Sequence, residues 1–284
     1  MKDLGRRLSV STVLITLVTI LLSFAYNVWF QYIVVLFIAA LAAVAIWEYE
    51  KFVEAKGGRM ILPALMTITV CVVGSFYAAA RSPALHSLPL LLFFIGFLIL
   101  FALHFRQKHG AVVDLSVSSF GLLYIAVPMG MLLGILYFPF PELTQDGRLW
   151  IAYLLVVTKI ADVGAYFAGS LWGRRKLAPS ISPGKTVEGA IFGLLCAVLA
   201  SYAFHRLSLY AQIGFHLGTA EWVFLGIVLG LIGQFGDLSE SLLKRDANKK
   251  DSNALPGLGG VLDSVDSLLF NAPIIYFYLT YVKI

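Results

Sequence analysis

HSLPLLLFFIGFLILFALH, running from His86 to His104, carries no Asp, Glu, Lys or Arg. A helix that crosses a bilayer needs about 20 mostly apolar residues, because backbone groups left unpaired in hydrocarbon are too costly for any other spanning shape. Outward from this stretch the same pattern recurs at 8–25, 28–48, 60–80, 113–137, 149–169, 187–206, 221–237 and 262–282. The 284 residues are therefore read as an all-α polytopic membrane protein of about nine transmembrane helices. Composition agrees: 60% of residues are hydrophobic and 13% charged, about half the ~25% of an average soluble domain. Mean hydropathy is +0.87. These figures exclude an ordinary cytosolic enzyme, a disordered chain and a secreted disulfide scaffold. Cys71 and Cys196 lie far apart in apolar runs and fit neither a disulfide framework nor a zinc site. No polar stretch separates the first two segments, which meet at Tyr26-Asn27, so the first is read as a span and not a cleaved leader.

Charge placement orients the chain. With the N-terminus in the cytoplasm, 16 of the 21 Lys and Arg fall on the cytoplasmic side, and Arg81, Arg148, Arg206 and Lys283 fall outside. Lys159 lies within the sixth span. That bias predicts N-in and C-out. The net charge of +5 is then a property of cytoplasmic loops and gives little support to nucleic-acid binding. Trp29, Trp47, Trp150, Trp172 and Trp222 sit near predicted span ends, as an aromatic belt does. Residues 1–112 read as a scaffold of four spans with little ionisable chemistry. Residues 113–284 read as the catalytic region of one membrane-embedded unit, with cytoplasmic loops 170–186 and 238–261.

Those two loops gather the polar residues. If the eighth span continues as a helix, Asp237, Ser241, Lys244 and Arg245 fall at i, i+4, i+7 and i+8, on one face. An acid, a hydroxyl and two bases on one stripe suit a metal with an anionic phosphate. They equally suit a solvated helix end. Lys249-Lys250-Asp251 then leads to Leu255-Pro256-Gly257-Leu258-Gly259-Gly260 and to Asp263 and Asp266 at the start of the last span. Gly257, Gly259 and Gly260 permit close approach of backbone N–H groups to an anion. Carboxylates at a helix N-terminus are favoured by the helix dipole, and capping is the ordinary role of a lone Asp there. Together with Asp237 they suit a hard cation such as Mg²⁺, which binds one or two carboxylates plus substrate phosphates.

The run Ser241-x-x-Lys244-Arg245-x₄-Lys250-Asp251, followed by Pro256-Gly257-x-Gly259-Gly260-x-x-Asp263-x-x-Asp266, resembles the signature of the phosphatidate cytidylyltransferases, the CDP-diacylglycerol synthases. A second block, Asp162-Val163-Gly164-Ala165-Tyr166 with Ser182-Pro183-Gly184-Lys185-Thr186-Val187-Glu188-Gly189, resembles the family's other motif region. The resemblance covers about residues 155–283. Two positions depart from it: Leu258 stands where the family usually has His, and Ser264 where it usually has Arg. The Lys-Asp to Pro-Gly stretch is also one residue shorter than the common form. Gly184-Lys185-Thr186 is not a P-loop, since Pro179 occupies the position of the first Gly and no βαβ unit surrounds it.

The resemblance implies transfer of CMP from CTP to phosphatidate, giving CDP-diacylglycerol and pyrophosphate for phospholipid biosynthesis. It implies Mg²⁺ held by Asp237, Asp263 and Asp266, with a second, monovalent cation left open. Lys244 joins those acids as a catalytic residue. Ser182, Lys185, Thr186, Ser241, Arg245, Lys250, Gly259 and Gly260 are the expected substrate-binding positions, with Asp162 and Lys159 beside them. Asp162 matches a family position and Lys159 does not. The expected partners are CTP, phosphatidic acid and the bilayer, with no nucleic acid and a homodimer left open. A bacterial chain of this kind belongs in the inner membrane with its active site facing the cytoplasm. Another CTP-dependent lipid enzyme, such as a lipid-alcohol kinase, is the nearest alternative. An ion-coupled transporter using Lys159 and Asp162 is the distant one, and it should show repeats that the sequence lacks.

Overall fold

The computed structural model describes residues 2–105, 107, 109–140, 145–211, 214–249 and 260–283, with the backbone path alone for 2–11. Its helices are α1 (Lys2–Phe24), α2 (Phe30–Glu54), α3 (Leu62–Arg81), α4 (Leu88–His104), α5 (Ala111–Gly121), α6 (Val127–Leu136), α7 (Gly147–Trp172), α8 (Val187–Ala211), α9 (Thr219–Asp246) and α10 (Val261–Val282). A single π turn, Leu122–Ala126, joins α5 to α6, so 111–136 forms one continuous rod. Among the described residues, eight helices are long and apolar enough to cross a membrane, and Thr12–Phe24 adds a shorter apolar helix. Every predicted span corresponds to one of these elements.

Two local features depart from the sequence expectation. Helix α9 does not stop at 237 but runs on to Asp246, so the stripe from Asp237 to Arg245 is helical. The 170–186 loop is not irregular: β1 (Lys176–Ala178) pairs antiparallel with β2 (Ser182–Thr186). Three- and five-residue strands carrying Pro183 and Gly184 give no period-2 signal, which is why the hairpin was not legible. It is instead fixed from outside. The Glu188 carboxylate accepts the N–H groups of Arg174 and Arg175 at 3.0 and 3.2 Å, and Arg245 Nε donates to the Ile181 carbonyl at 3.1 Å.

The chain divides into two compact units, one of Met1–Leu133 with Lys250–Ser264, the other of Gly134–Lys249 with Val265–Ile284. In the first, α2 and α3 supply the packed interior, with Ala42, Ile46, Leu65, Val72 and Val73 buried. The second has an aromatic core at one end, where the Trp150 ring lies 4.7 Å from Phe215 and 5.7 Å from Tyr278.

Within the second unit α7 and α8 approach through small residues. A Cβ on Gly193 would lie 2.7 Å from the Ala161 carbonyl oxygen, and one on Gly189 would lie 2.6 Å from the Ala165 carbonyl oxygen. Lipid tails are as apolar as Leu, so burial of apolar area does not drive this contact, and close backbone packing does. Gly193→Val is therefore expected to force α7 and α8 apart and to cost about 1–3 kcal/mol or more. A thermal unfolding curve of purified protein that matches the parent would contradict this packing.

Candidate functional site: an acidic and basic pocket between α7, the hairpin, α8 and α9

The α7–α8 seam holds the hairpin against α7, and a cavity of about 300 Å³ opens between them. Asp162 and Tyr166 line it from α7, Ser182, Lys185 and Thr186 from β2, and Gln234 and Asp237 from α9. Two blocks far apart in sequence, 162–189 and 234–237, thus share one pocket.

Its charges are paired. Lys185 Nζ lies 2.7 Å from Asp237 Oδ2. Lys159 Nζ lies 3.7 Å from Asp162 Oδ2, one helical turn away on α7, and the Lys159 side chain is 49% exposed. Asp266 is 7% exposed, and its charged neighbours are Asp237, Lys159 and Asp162. The approach of α10 to α9 that brings this about depends on Gly236, where a Cβ would sit 2.8 Å from the Asp266 carbonyl oxygen. The Gln234 amide is fixed by donation from Nε2 to the Ala190 carbonyl at 3.1 Å.

Other expected site residues have structural partners. Thr186 Oγ1 accepts the Gly189 N–H at 3.1 Å and so caps α8 from the pocket wall. Arg245 holds the hairpin turn through Ile181. Lys244 is ion-paired with Glu240, whose side chain is fully buried. Ser241 is buried on α9, one turn beyond Asp237. In the first unit, Asp263 Oδ2 accepts the Gly260 N–H at 3.1 Å, a cap on its own helix, so that N–H is not open to an anion. Lys250 and Gly259 lie outside the described residues, as do Gly257 and Leu258. Ser264 is exposed, with its hydroxyl donating to the Gly260 carbonyl at 2.9 Å.

Sequence reasoning missed three polar residues that the structure puts to use. Gln234 stands in an apolar run one turn before Asp237, and an amide at that depth was the available signal. Glu240 sat inside the quoted run, one turn before Lys244, where an i,i+4 acid–base pair was the available signal. Glu48 lies in Trp47-Glu48-Tyr49-Glu50-Lys51, which reads as the polar end of a span. In the structure it is 0% exposed.

Fold and pocket together define a polytopic helical membrane protein whose acids, lysines and hydroxyls are gathered at one pocket, a set suited to phosphate chemistry. A family model described as the cytidylyltransferase family matches residues 6–282, and the chain belongs to that family. It is 34% identical over 294 residues to the phosphatidate cytidylyltransferase of Chlamydia pneumoniae, covering 98% of this chain and 92% of that one. Against the phosphatidate cytidylyltransferase of Synechocystis it is 35% identical, covering 86% and 88% of the two chains. The Bacillus subtilis phosphatidate cytidylyltransferase is 44% identical over 142 residues, 49% of this chain and 50% of that one.

Proposed function

We propose that this protein transfers CMP from CTP to phosphatidate, forming CDP-diacylglycerol and pyrophosphate at the pocket bounded by Asp162, Lys185 and Asp237. The observation that carries this reading is the Lys185–Asp237 pair at 2.7 Å, which sets a cation of one motif block against an acid one turn before the other on a single cavity wall. The relatives named phosphatidate cytidylyltransferase, matched over nearly their full length, support the choice of substrates.

The donor set suits Mg²⁺. Asp162, Asp237 and Asp266 offer hard oxygen ligands, and among the described residues no three His, Cys, Asp or Glu side chains form a self-sufficient metal cluster. One or two carboxylates with phosphate oxygens and water completing the shell is the usual arrangement for this ion. We assign Asp237 and Asp266, both in the second unit, to it, with Asp263 the further ligand that the motif resemblance implies. Bound there, Mg²⁺ would offset charge on the α-phosphate and on departing pyrophosphate.

The chain's own residues do the rest. The Lys185 ammonium can exchange its carboxylate partner for phosphate oxygens, and Lys159 provides a second cation beside the acids. The Ser182 hydroxyl, half-buried on the cavity wall, is a donor to phosphate oxygen. Thr186 keeps β2 in register with α8, which fixes where Lys185 points. Arg245 secures the hairpin that forms one wall. A phosphate monoester is already a nucleophile near neutral pH, so the lipid phosphate attacks the α-phosphorus without a strong protein base. The exposed apolar flank of α7, with Phe167, Leu171 and Trp172, leaves the diacyl chains in lipid while the headgroup reaches the pocket.

Purified protein should turn over CTP with phosphatidate, and not with diacylglycerol or without lipid. Equal turnover with diacylglycerol would move the protein to a lipid-kinase-like activity. The cytoplasmic orientation of the hairpin is tested at its turn. A single Cys at Ser180 should resist impermeant thiol reagents added outside intact cells or right-side-out vesicles, and ready labelling would reverse the orientation.

A further inference from the structure

Helix α10 begins with N–H groups that have no carbonyl partner within the helix, as every α-helix does. Here three of them, on Gly260, Val261 and Leu262, are taken by carboxylates near the helix start. Ser264 N–H donates to the Gly260 carbonyl at 3.2 Å, which makes Gly260 the residue at the helix boundary. The Gly260 N–H goes to Asp263 Oδ2. The next two go to another helix: Val261 N–H donates to Glu48 Oε1 at 2.9 Å and Leu262 N–H to Glu48 Oε2 at 2.7 Å. Glu48 lies in the last third of the 25-residue helix α2 and is fully buried.

We infer that Glu48 is a positioning residue: its two carboxylate oxygens, each on a different N–H of α10, fix the rotation and height of that helix's first turn and so the placement of Asp263. A carboxylate bound through both oxygens resists both sliding and turning of the helix end, which a single hydrogen bond does not. Its negative charge also answers the positive end of the helix dipole. The position that Glu48 fills is the one a phosphate takes at an open helix N-terminus, so α10 directs its first N–H groups to protein and not to substrate. Asp263 sits two residues past the first of these bonds and one past the second, so a loosened first turn swings its carboxylate directly. Asp266 follows one turn further along the same helix. Groups that orient metal-ligating side chains from behind act in this way.

The inference rests on Asp263 serving the nucleotidyl-transfer site, and the experiment separates the two. Full-length Glu48→Gln, Glu48→Asp and Asp263→Asn proteins are purified in lipid nanodiscs. Hydrogen exchange is followed across 260–266 without substrate, and CTP turnover is titrated with Mg²⁺. Gln keeps the shape but replaces one acceptor with an NH₂ group that cannot take an N–H bond, while Asp keeps the charge but draws it back by one methylene. Both Glu48 variants should exchange faster at Val261 and Leu262, and both should raise the half-saturating Mg²⁺ concentration by about 10-fold or more. Unchanged exchange, or faster exchange with the Mg²⁺ midpoint and kcat both kept, would reduce Glu48 to a structural cap and overturn the inference. If Glu48→Gln does not fold, Glu48→Asp is judged by the same two measurements. An active Asp263→Asn protein would instead remove Asp263 from the site, whatever Glu48 does.

Discussion

Asp237→Asn is expected to lower kcat/KM by about 100- to 1000-fold, the several kcal/mol that one charged ligand to a catalytic metal supplies. The substitution preserves shape and packing at the α9 surface, where Asp237 lines the cavity beside Lys185. It removes the charge that draws a divalent ion and frees Lys185 from its partner. These consequences act in one direction on the transition state, so kcat should fall more than KM rises. Asp263→Asn should show a loss of the same order, together with weaker closure of the Gly260 N–H. Asp246→Asn, at the last residue of α9 and outside the matched positions, is the control and should change turnover by less than about 3-fold, as surface substitutions do. Turnover of Asp237→Asn near the parent value, with unchanged Mg²⁺ dependence, would take Asp237 out of the site.

Lys185→Met carries the second large effect. Of the pocket's acids, Asp162 and Asp237 are paired with Lys159 and Lys185, and Asp266 lies beside them. A triphosphate entering such a place must meet fixed cations or be repelled. Loss of a charged phosphate contact costs about 2–4 kcal/mol, or roughly 30- to 1000-fold in kcat/KM. Lys185→Arg keeps the charge but presents a planar fork where a point charge fits, and recovery should be partial. Steady-state turnover across CTP concentrations checks both. Lys185→Met within about 3-fold of the parent would show that its pairing with Asp237 is structural only.

Much of this was legible in advance because lipid imposes a simple rule. A helix facing hydrocarbon must be apolar over its whole crossing, and His86–His104 announces that in its residues. The grouping of Asp162, Ser182, Lys185 and Asp237 was legible only through motif resemblance, since nothing local in 162–189 specifies that 234–237 lies against it. The β1–β2 hairpin was not legible, because its geometry is dictated by Glu188 and Arg245 and not by its own strands. The pairing of Lys244 with Glu240 was hidden for a related reason. Helical spacing places residues on faces, but it does not say which face is buried, and Lys244 turns toward Glu240. The two compact units were likewise hidden, because 250–264 groups with residues that precede it by more than a hundred positions.

The bonds from Glu48 to α10 join residues 213 and 214 positions apart. At a synthesis rate of about 5–20 residues per second, Glu48 emerges roughly 10–40 s before the N–H groups it will hold. Throughout that interval α2 carries an acid whose final partners have not yet been made, and a polar group held away from water without its partners is costly. A chain released before residue 261 keeps that debt permanently. Quality-control proteases that sense unpartnered polar groups would therefore be expected to clear truncated chains whose earlier helices are otherwise complete.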